Sequence, residues 1–390
     1  MNKMYRILIC TLAFVLCLSA TILNTSAETQ STLSTTEGAL SLNCKSAVLM
    51  EANTGKILYE QNPDEALPPA SVTKIMTLLL VMEAIDSGKI FLEDMVSASE
   101  YAASMGGSQV YLKVGETMSV EDMLKSVVIS SANDAAVALA EYISGDVDSF
   151  VKQMNNRAQE LGMKNTRFEN VTGLDDTAEN HLTSARDIAL MSRALIKHPT
   201  ILQYSSIWMD TIRGGAFGLT NTNRLVRFYR GATGLKTGST SKAGFCVSVT
   251  AERDGLSLIC VIMGAESRDV RNAQATKLLD WGFANYTAYH ADGGSLQDIR
   301  VTGGVKNHCA VGYDSFSIVL PKGDATRIEQ KITLDEQAAA PLSNGDEVGR
   351  VEYLLNGQVL GQISITVRED IEKIDFWGLW QRLIAKILLM

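Results

Sequence analysis

The chain has 390 residues, of which 46% are hydrophobic and 20% are charged, and its formal net charge is −9. This length suffices for two domains with a large buried core, and the composition is that of a globular protein rather than a disordered one. The net negative charge argues against nucleic-acid binding, because a polyanion would be repelled.

The N-terminal residues 1–27 have the features of a secretory signal peptide. Lys3 and Arg6 form a basic start, an apolar stretch follows, and small residues at 25–27 offer a cleavage site. An uncleaved membrane anchor is the alternative, and both interpretations predict that the rest of the chain is exported. The polar, Ser/Thr-rich residues 28–41 are typical of a tether between a membrane and a domain.

Four cysteines lie beyond the predicted signal peptide, namely Cys44, Cys246, Cys260 and Cys309. They are too few for a fold built on disulfides. Cys246 and Cys260 stand symmetrically about a predicted hairpin turn, so a cross-strand bond is one alternative. The pattern favours two buried free thiols, because cysteine is often a small core residue.

The first predicted elements lead to a serine at the head of a helix. β-prone stretches on both sides of a turn at 53–56 predict a hairpin, and Pro68 and Pro69 follow. Prolines commonly stand just before a helix, so the predicted start of the next, apolar helix is Ser71. On that helix Lys74 lies one turn further on, beneath the Ser71 hydroxyl.

The middle of the chain alternates between helical and strand patterns. Helices are predicted at 119–129, 134–143, 147–161, 184–197 and 271–283, and strands at 235–238, 245–250 and 256–263. Residues 131–133 fall at the break between the first two helices. This order predicts an α/β (α+β) sandwich over residues 42–286, in which helices pack on an antiparallel sheet.

The C-terminal part has a different residue pattern. Residues 290–368 consist of short β-prone pieces separated by Gly and Asn, which predicts a small all-β domain. Residues 372–390 combine tryptophans and aliphatic residues with charged residues at helical spacing. This segment is too short and too interrupted to span a bilayer, so it is predicted to lie in the membrane interface as an amphipathic helix. A terminal helix docked on the protein itself is the alternative.

The pair Ser71 and Lys74 forms an S-x-x-K motif. The motif alone is weak, because Ser149 with Lys152 and Ser239 with Lys242 also match it. The first pair differs in its place at the head of an apolar helix. Burial and the positive end of the helix dipole both disfavour the ammonium form of Lys74 there. A neutral Lys74 can act as the general base that activates the Ser71 hydroxyl.

Two further motifs complete an ordered set, Ser131-Ala132-Asn133 and Lys236-Thr237-Gly238. With S-x-x-K they correspond to the S-x-x-K, S-D-N and K-T-G motifs of penicillin-recognising serine enzymes. The sequence therefore resembles the low-molecular-mass penicillin-binding proteins, specifically the D-alanyl-D-alanine carboxypeptidases, over nearly its whole length. Ala132 departs from the S-D-N form, at a position that has no role in the implied mechanism.

The resemblance implies a serine transpeptidase/β-lactamase-like fold for the first domain and an acyl-serine mechanism that needs no cofactor and no metal. It implies that Ser71 is the nucleophile, Lys74 its base and Ser131 the proton carrier for the leaving amine. The implied substrate contacts are the amide of Asn133, a carboxylate clamp of Lys236 and Thr237, close approach at Gly238, and an oxyanion hole of the Ser71 and Ser239 N–H groups.

The implied substrate is the D-Ala-D-Ala end of the peptidoglycan pentapeptide stem, and β-lactam antibiotics would acylate the same serine. The implied place of action is the cell wall at the outer face of the cytoplasmic membrane. A β-lactamase of the same fold is an alternative, although no glutamate between Ser131 and Lys236 is followed four residues later by asparagine. A D,D-endopeptidase or transpeptidase differs only in the amide attacked or the acceptor. A non-catalytic wall scaffold would have no reason to keep the whole motif set.

Other conspicuous residues receive simpler interpretations. The four histidines include no H-E-x-x-H motif, which disfavours a zinc carboxypeptidase. His181 precedes a helix and is predicted to be structural. Ser108, in a Gly-rich loop, is a candidate substrate contact. Arg268 and Arg271 are expected at the surface or behind the site.

Overall fold

The computed structural model describes residues 40–175 and 178–388. The predicted signal peptide at 1–27 and nearly all of the predicted tether at 28–41 lie outside the described residues.

The N-terminal part combines a central sheet with two small two-stranded sheets. Its strands are β1 (Ser46–Glu51), β2 (Ile57–Gln61), β3 (Met95–Ser97), β4 (Thr117–Ser119), β5 (Met209–Ile212), β6 (Phe217–Thr220), β7 (Ala232–Thr240), β8 (Gly244–Arg253) and β9 (Leu256–Ala265). The central sheet is antiparallel, with the order β2-β1-β9-β8-β7. β7, which carries Lys236, Thr237 and Gly238, therefore forms an edge of the sheet.

Helices cover the sheet as the sequence predicts. They are α1 (Lys74–Asp86), α2 (Glu100–Ala103), α3 (Val120–Ser130), α4 (Asn133–Ser144), α5 (Val147–Glu160), α6 (Ala185–Leu195), α7 (Pro199–Ser205), α8 (Leu225–Phe228) and α9 (Arg268–Asn285). Short 3₁₀ turns occupy Ala70–Thr73 and Arg213–Gly215. Serine side chains cap α3 and α6, where Ser119 and Ser184 each accept a backbone N–H three residues on.

Both faces of the central sheet are covered, which explains the uninterrupted apolar runs in its strands. On one face Val48 and Val261 belong to a large apolar cluster that includes Ile75 of α1 and Ile188 of α6. On the other face α9 packs so closely that a Cβ on Gly282 would stand 2.7 Å from Leu49 Cδ2. The predicted sandwich of helices on an antiparallel sheet is therefore confirmed.

The entry into α1 differs from the prediction. Ser71 lies within the 3₁₀ turn, and the α-helix proper begins at Lys74. Ala70, directly after the two prolines, adopts a φ of 50°. A residue with a positive φ cannot belong to a regular α-helix, so α1 cannot extend back through Ala70.

The thiols of Cys246 and Cys260 are free, and the predicted symmetric placement is wrong. Cys246 stands opposite Gly238, whereas Cys260 stands opposite Val249. The pairing of Arg253 with Leu256 across the turn sets this register, and a β-bulge between residues 245 and 247 displaces Cys246 further. Cys260 Sγ donates to the Ala275 carbonyl of α9, while Cys246 belongs to the apolar cluster on the opposite face.

The C-terminal part is all-β, as predicted, and begins four residues before the expected boundary at residue 290. Its strands are β10 (Tyr286–Ala291), β11 (Gly294–Ser295), β12 (Ile299–Thr302), β13 (His308–Cys309), β14 (Val311–Tyr313), β15 (Phe316–Pro321), β16 (Ile328–Leu334), β17 (Gln337–Ala339), β18 (Glu347–Leu355) and β19 (Gln358–Val367). They enclose an apolar cluster of their own around Val351, Tyr353 and Ile365.

The last described helix, α10 (Phe376–Leu388), contains no buried residue. Its aromatic and aliphatic side chains are exposed, including Trp377, Trp380 and Leu388. The side chain of Arg382 instead contacts the all-β part, where it donates to Asn307 Oδ1 at 2.9 Å. Among the described helices, none has both the length and the apolar character that a membrane span requires.

Candidate active site

Ser71 and Lys74 meet where the 3₁₀ turn joins α1. Lys74 Nζ lies 3.0 Å from Ser71 Oγ. It also donates to Asn133 Oδ1 at 2.5 Å and to the Thr172 carbonyl at 2.8 Å. A neutral amine has two N–H bonds and one lone pair. Because these two acceptors occupy both N–H bonds, the lone pair is left for the Ser71 hydroxyl.

The environment of Lys74 favours this neutral form. Its side chain is fully buried, and burial, followed by the charge of Lys236, holds the pKa of Lys74 well below its ordinary value. The charge of Asp134 acts in the opposite direction and is the weakest of the three causes. Lys74 can therefore accept the proton of Ser71, as a general base must.

A second lysine–serine pair lies on the other side of the site. Ser131 has a φ of 63° between α3 and α4, and its Oγ accepts a hydrogen bond of 2.8 Å from Lys236 Nζ. Lys236 also donates to the Thr237 carbonyl at 3.0 Å. Burial, and then the charge of Arg271, lower the pKa of Lys236 to about 7. Its ammonium can thus exchange a proton near neutral pH.

Asn133 is held within the protein at both ends of its side-chain amide. Its Oδ1 accepts from Lys74, and its Nδ2 donates to the Gly106 carbonyl at 2.7 Å. In this arrangement Asn133 orients the base, and a substrate amide would have to share or replace one of these partners.

The 3₁₀ turn Ala70–Thr73 carries Ser71 and is called the Ser71 turn below. The edge strand β7 comes very close to this turn at Gly238. A Cβ at this position would stand 2.7 Å from Ser71 N and 2.9 Å from the Pro69 carbonyl oxygen. Only a glycine permits this approach between two backbone segments of the protein. The close approach of a substrate at Gly238 stays a prediction. Thr237, the neighbouring residue, donates from its Oγ1 to Thr222 Oγ1 at 2.8 Å.

A loop that sequence reasoning missed supports the other side of the Ser71 turn. Gly173 has a φ of 83°, and a Cβ there would stand 1.8 Å from the Ala70 carbonyl oxygen. Asn170 Oδ1 accepts from the N–H groups of Thr172 and Gly173, which directs the Thr172 carbonyl at Lys74. The sequence Asn170-Val-Thr-Gly173 carries an Asx-turn signature that could have located this loop.

A cavity of about 550 Å³ opens over these groups. Its walls include five of the eight predicted site residues, namely Ser71, Ser131, Thr237, Gly238 and Ser239. The other three, Lys74, Asn133 and Lys236, are buried behind the wall. Further lining residues are Ser108, Trp208, Thr220, Asn221, Thr222, Arg224, Phe228, Arg268 and Arg271. The described residues contribute arginines but no acidic side chain to this lining.

The structure also shows where the residues with predicted minor or structural roles lie. Ser108 lines the cavity, and so do Arg268 and Arg271, for which the sequence predicts a place at the surface or behind the site. His181 is buried, with Nε2 2.7 Å from Thr73 Oγ1 and Nδ1 accepting from the Glu169 N–H. Burial lowers the pKa of His181 to about 4, so it is neutral and structural. The described residues contain no cluster of three potential metal ligands.

Comparison with known proteins matches both parts of the chain. The family described as D-alanyl-D-alanine carboxypeptidase, Peptidase S11, matches residues 32–267, and the C-terminal domain of penicillin-binding protein 5 matches residues 285–373. The D-alanyl-D-alanine carboxypeptidase DacF of Bacillus subtilis is 42% identical over 86% of this chain and 88% of its own length.

Solved structures of penicillin-binding proteins also match the chain. Penicillin-binding protein 5 of Haemophilus influenzae superposes with a TM-score of 0.74 at 34% identity, over 86% of this chain and 99% of that one. Penicillin-binding protein D2 of Listeria monocytogenes, in its ampicillin-bound form, gives a TM-score of 0.58 at 35% identity. This second match covers 63% of this chain and 99% of that one.

Proposed function

Because the chain belongs to the D-alanyl-D-alanine carboxypeptidase family S11, we propose that Ser71 attacks the carbonyl carbon between the last two D-alanines of a peptidoglycan stem. The protein is a serine carboxypeptidase that removes the terminal D-alanine through an acyl-serine intermediate and is acylated by penicillin. The observation that carries the residue assignment is the 3.0 Å contact between Ser71 Oγ and the fully buried Lys74 Nζ.

In acylation, Lys74 takes the hydroxyl proton while Ser71 Oγ bonds to the carbonyl carbon. The backbone N–H groups of Ser71 and Ser239 would stabilise the developing oxyanion. When the C–N bond breaks, Ser131 hands its proton to the leaving D-alanine amine. Lys236, which donates to Ser131 Oγ, is the ammonium that can replace that proton.

The terminal carboxylate of the substrate needs a cationic clamp. The charge of Lys236 and the hydroxyl of Thr237 form the predicted part of this clamp. Arg271 is the addition that the cavity suggests, because it is buried, lines the cavity and lies close enough to lower the pKa of Lys236. The edge of β7 beside Gly238 would hold the substrate backbone as an added strand.

The family acts on peptidoglycan, so the reaction belongs to the cell wall. We further propose that residues 1–27 export the chain, that residues 28–41 are a tether, and that residues 42–286 and 290–368 are the catalytic and β domains. The segment 372–390 would hold the enzyme at the outer face of the cytoplasmic membrane through α10. The exposed Trp377, Trp380 and Leu388, on a helix with no buried residue, support an interfacial position.

The first test uses the full chain, Ser71→Ala and Ser149→Ala, with diacetyl-Lys-D-Ala-D-Ala and a fluorescent penicillin. Ser149 belongs to a second S-x-x-K match on α5, so its variant is the matched control. We expect D-alanine release and a label on Ser71 in the full chain and the control, and neither in Ser71→Ala. Rapid penicillin turnover without D-alanine release would indicate a β-lactamase, and no reaction with either compound would indicate a scaffold.

A further inference from the structure

A second groove opens beside the catalytic cavity and has no role in the proposed reaction. This aromatic groove has a volume of about 690 Å³ and is lined by Val110, Tyr111, Lys113, Val114, Gly115, Glu116, Arg213 and Phe217. It shares none of these residues with the catalytic cavity. The ring of Tyr111 is 67% exposed, although a side chain of this size would gain from burial.

Backbone strain in the described residues concentrates in two places. Seven residues other than glycine have a positive φ, and three of them, Asn62, Asp254 and Asn356, are of the types that tolerate it. The other four are Ala70 and Ser131 in the active site, and Tyr111 and Arg213 in the aromatic groove. A bulky residue keeps such a conformation only where its surroundings enforce it, and such residues cluster at functional sites.

The surroundings do enforce the groove's shape. The Asp134 carboxylate accepts the N–H groups of Val110 at 3.1 Å and Leu112 at 3.0 Å, on both sides of Tyr111. Arg213 donates to Glu116 Oε1 at 2.7 Å and to the Val110 carbonyl at 2.8 Å. The backbone that carries Tyr111 and the Arg213 guanidinium are therefore held in place before any ligand arrives.

Tyr111 and Phe217 form the wall of the groove. Their ring centroids are 6.4 Å apart in an edge-to-face arrangement, and the Arg213 guanidinium lies 5.3 Å from the centre of the Phe217 ring. The groove thus offers aromatic surface together with the hydrogen-bond donors of Lys113 and Arg213.

Two chain segments connect the groove to the catalytic cavity. In one loop, Ser108 lines the catalytic cavity and Tyr111, three residues later, lines the aromatic groove. At the two ends of β6, Thr220 lines the catalytic cavity and Phe217 lines the aromatic groove. Three residues span at most roughly 11 Å, whereas an extended five-residue stem spans roughly 17 Å. A stem whose last residue reaches the cavity can therefore place its carrier sugar at the groove.

We propose that the aromatic groove binds the N-acetylated sugar to which the stem peptide is attached, a proposal that rests on the proposed function. The apolar face of a sugar ring packs against Tyr111 and Phe217, and Lys113 and Arg213 donate to its hydroxyl and acetamido oxygens. A peptide strand is disfavoured as occupant, because the backbone groups that it would pair with are taken. Val110 N–H and carbonyl, Leu112 N–H and Lys113 N–H all have side-chain partners.

The test compares D-alanine release from the bare pentapeptide and from the disaccharide-pentapeptide. The variants are Tyr111→Asn, which removes the ring but tolerates the left-handed backbone, and Tyr101→Asn, an exposed tyrosine outside the groove. In the full chain we expect a higher kcat/KM on the disaccharide substrate. The ratio of the two kcat/KM values should fall roughly two- to tenfold in Tyr111→Asn and stay unchanged in Tyr101→Asn.

A binding measurement separates this proposal from the proposed function. Disaccharide-tripeptide, which lacks both D-alanines, is titrated into Ser71→Ala and into the double variant with Tyr111→Asn by calorimetry. Weaker binding by the double variant is the expected result, whether or not any D-alanine is released. Equal binding by both, no binding by either, or a ratio of kcat/KM that Tyr111→Asn leaves unchanged would overturn the sugar site. Failure to release D-alanine from either substrate would overturn the proposed function instead.

Discussion

At the scale of single residues, the site consists of two buried lysines with opposite tasks. In the proposed mechanism Lys74 must be neutral to take the Ser71 proton, whereas Lys236 must be charged to attract a carboxylate. Burial lowers the pKa of both, and the charge of Lys236 lowers the pKa of Lys74 further. The two tasks thus support each other, because a charged Lys236 keeps Lys74 neutral.

This division of tasks predicts a bell-shaped dependence of kcat/KM on pH. As pH rises, Lys74 loses its proton and acylation accelerates. Above pH about 7, Lys236 of the free enzyme loses its charge, and the carboxylate binds less well. In Lys236→Arg the alkaline limb should move upward by more than one pH unit, because a guanidinium stays protonated.

The measurement is D-alanine release at low substrate concentration from pH 5 to 10, with Lys242→Arg, at an exposed lysine, as control. An alkaline limb at the same pH in Lys236→Arg and the unmodified chain would contradict the role assigned to Lys236. The absolute rate of the variant does not affect this outcome, since only the position of the limb is compared.

At the scale of elements, the Ser71 turn is compressed between two backbone segments. The edge strand β7 approaches it at Gly238, and the 170–173 loop approaches it at Gly173. Each glycine stands where any Cβ would collide with backbone atoms of the turn. The position of Ser71 therefore depends on three elements that are distant in sequence.

Gly173→Ala tests this compression against Gly145→Ala, because both glycines have a φ of 83°. A Cβ at Gly145 meets nothing within 4 Å, so the variant should lose only about 1–2 kcal/mol for its left-handed backbone. Gly173→Ala should lose about 1–3 kcal/mol more, because its Cβ overlaps the Ala70 carbonyl. Urea unfolding measures both variants.

Labelling by fluorescent penicillin gives the functional readout for the same pair. Gly145→Ala should be labelled like the unmodified chain, whereas Gly173→Ala should be labelled far more slowly because the Ser71 turn is displaced. Equal stability and equal labelling of the two variants would contradict the proposed packing.

At the scale of the whole molecule, α10 is the element that does not pack. Its apolar side chains remain exposed, and its visible tie to the all-β part is polar, through Arg382. A helix with tryptophans and aliphatic residues on one side and no buried residue is suited to a lipid interface. The alternative, a helix docked on the protein by its apolar face, finds no support in these contacts.

Deleting residues 374–390 should therefore release the protein from lipid vesicles while D-alanine release from a soluble peptide continues unchanged. Trp377→Ser should weaken vesicle binding, and Phe91→Ser, at an exposed aromatic side chain outside the tail, should not. Flotation with vesicles measures binding. Loss of activity on the soluble peptide after the deletion would show that the tail supports the catalytic fold.

Much of this architecture could be predicted because it depends on local periodicity. The helices at 147–160 and 185–195 and the strands β8 and β9 follow from their apolar spacing, and the break at Ser131 follows from the interrupted pattern. The 3₁₀ turn at Ser71 and the β-bulge beside Cys246 could not be predicted. The first accompanies the positive φ of Ala70 and the second a shift in the pairing of β8 with β9, and neither is encoded in the apolar spacing.

The residue types of the candidate site and their order can be read directly from three short motifs, because each motif is complete within a few residues. Which of these groups meet depends on contacts between distant parts of the chain. The contacts of Lys74 with Asn133 and Thr172, and of Lys236 with Ser131, join residues 59, 98 and 105 positions apart. No local pattern encodes such pairs, because they form only when the helices close over the edge of the sheet. That closure also places Arg271 in the lining of the cavity that contains Ser71.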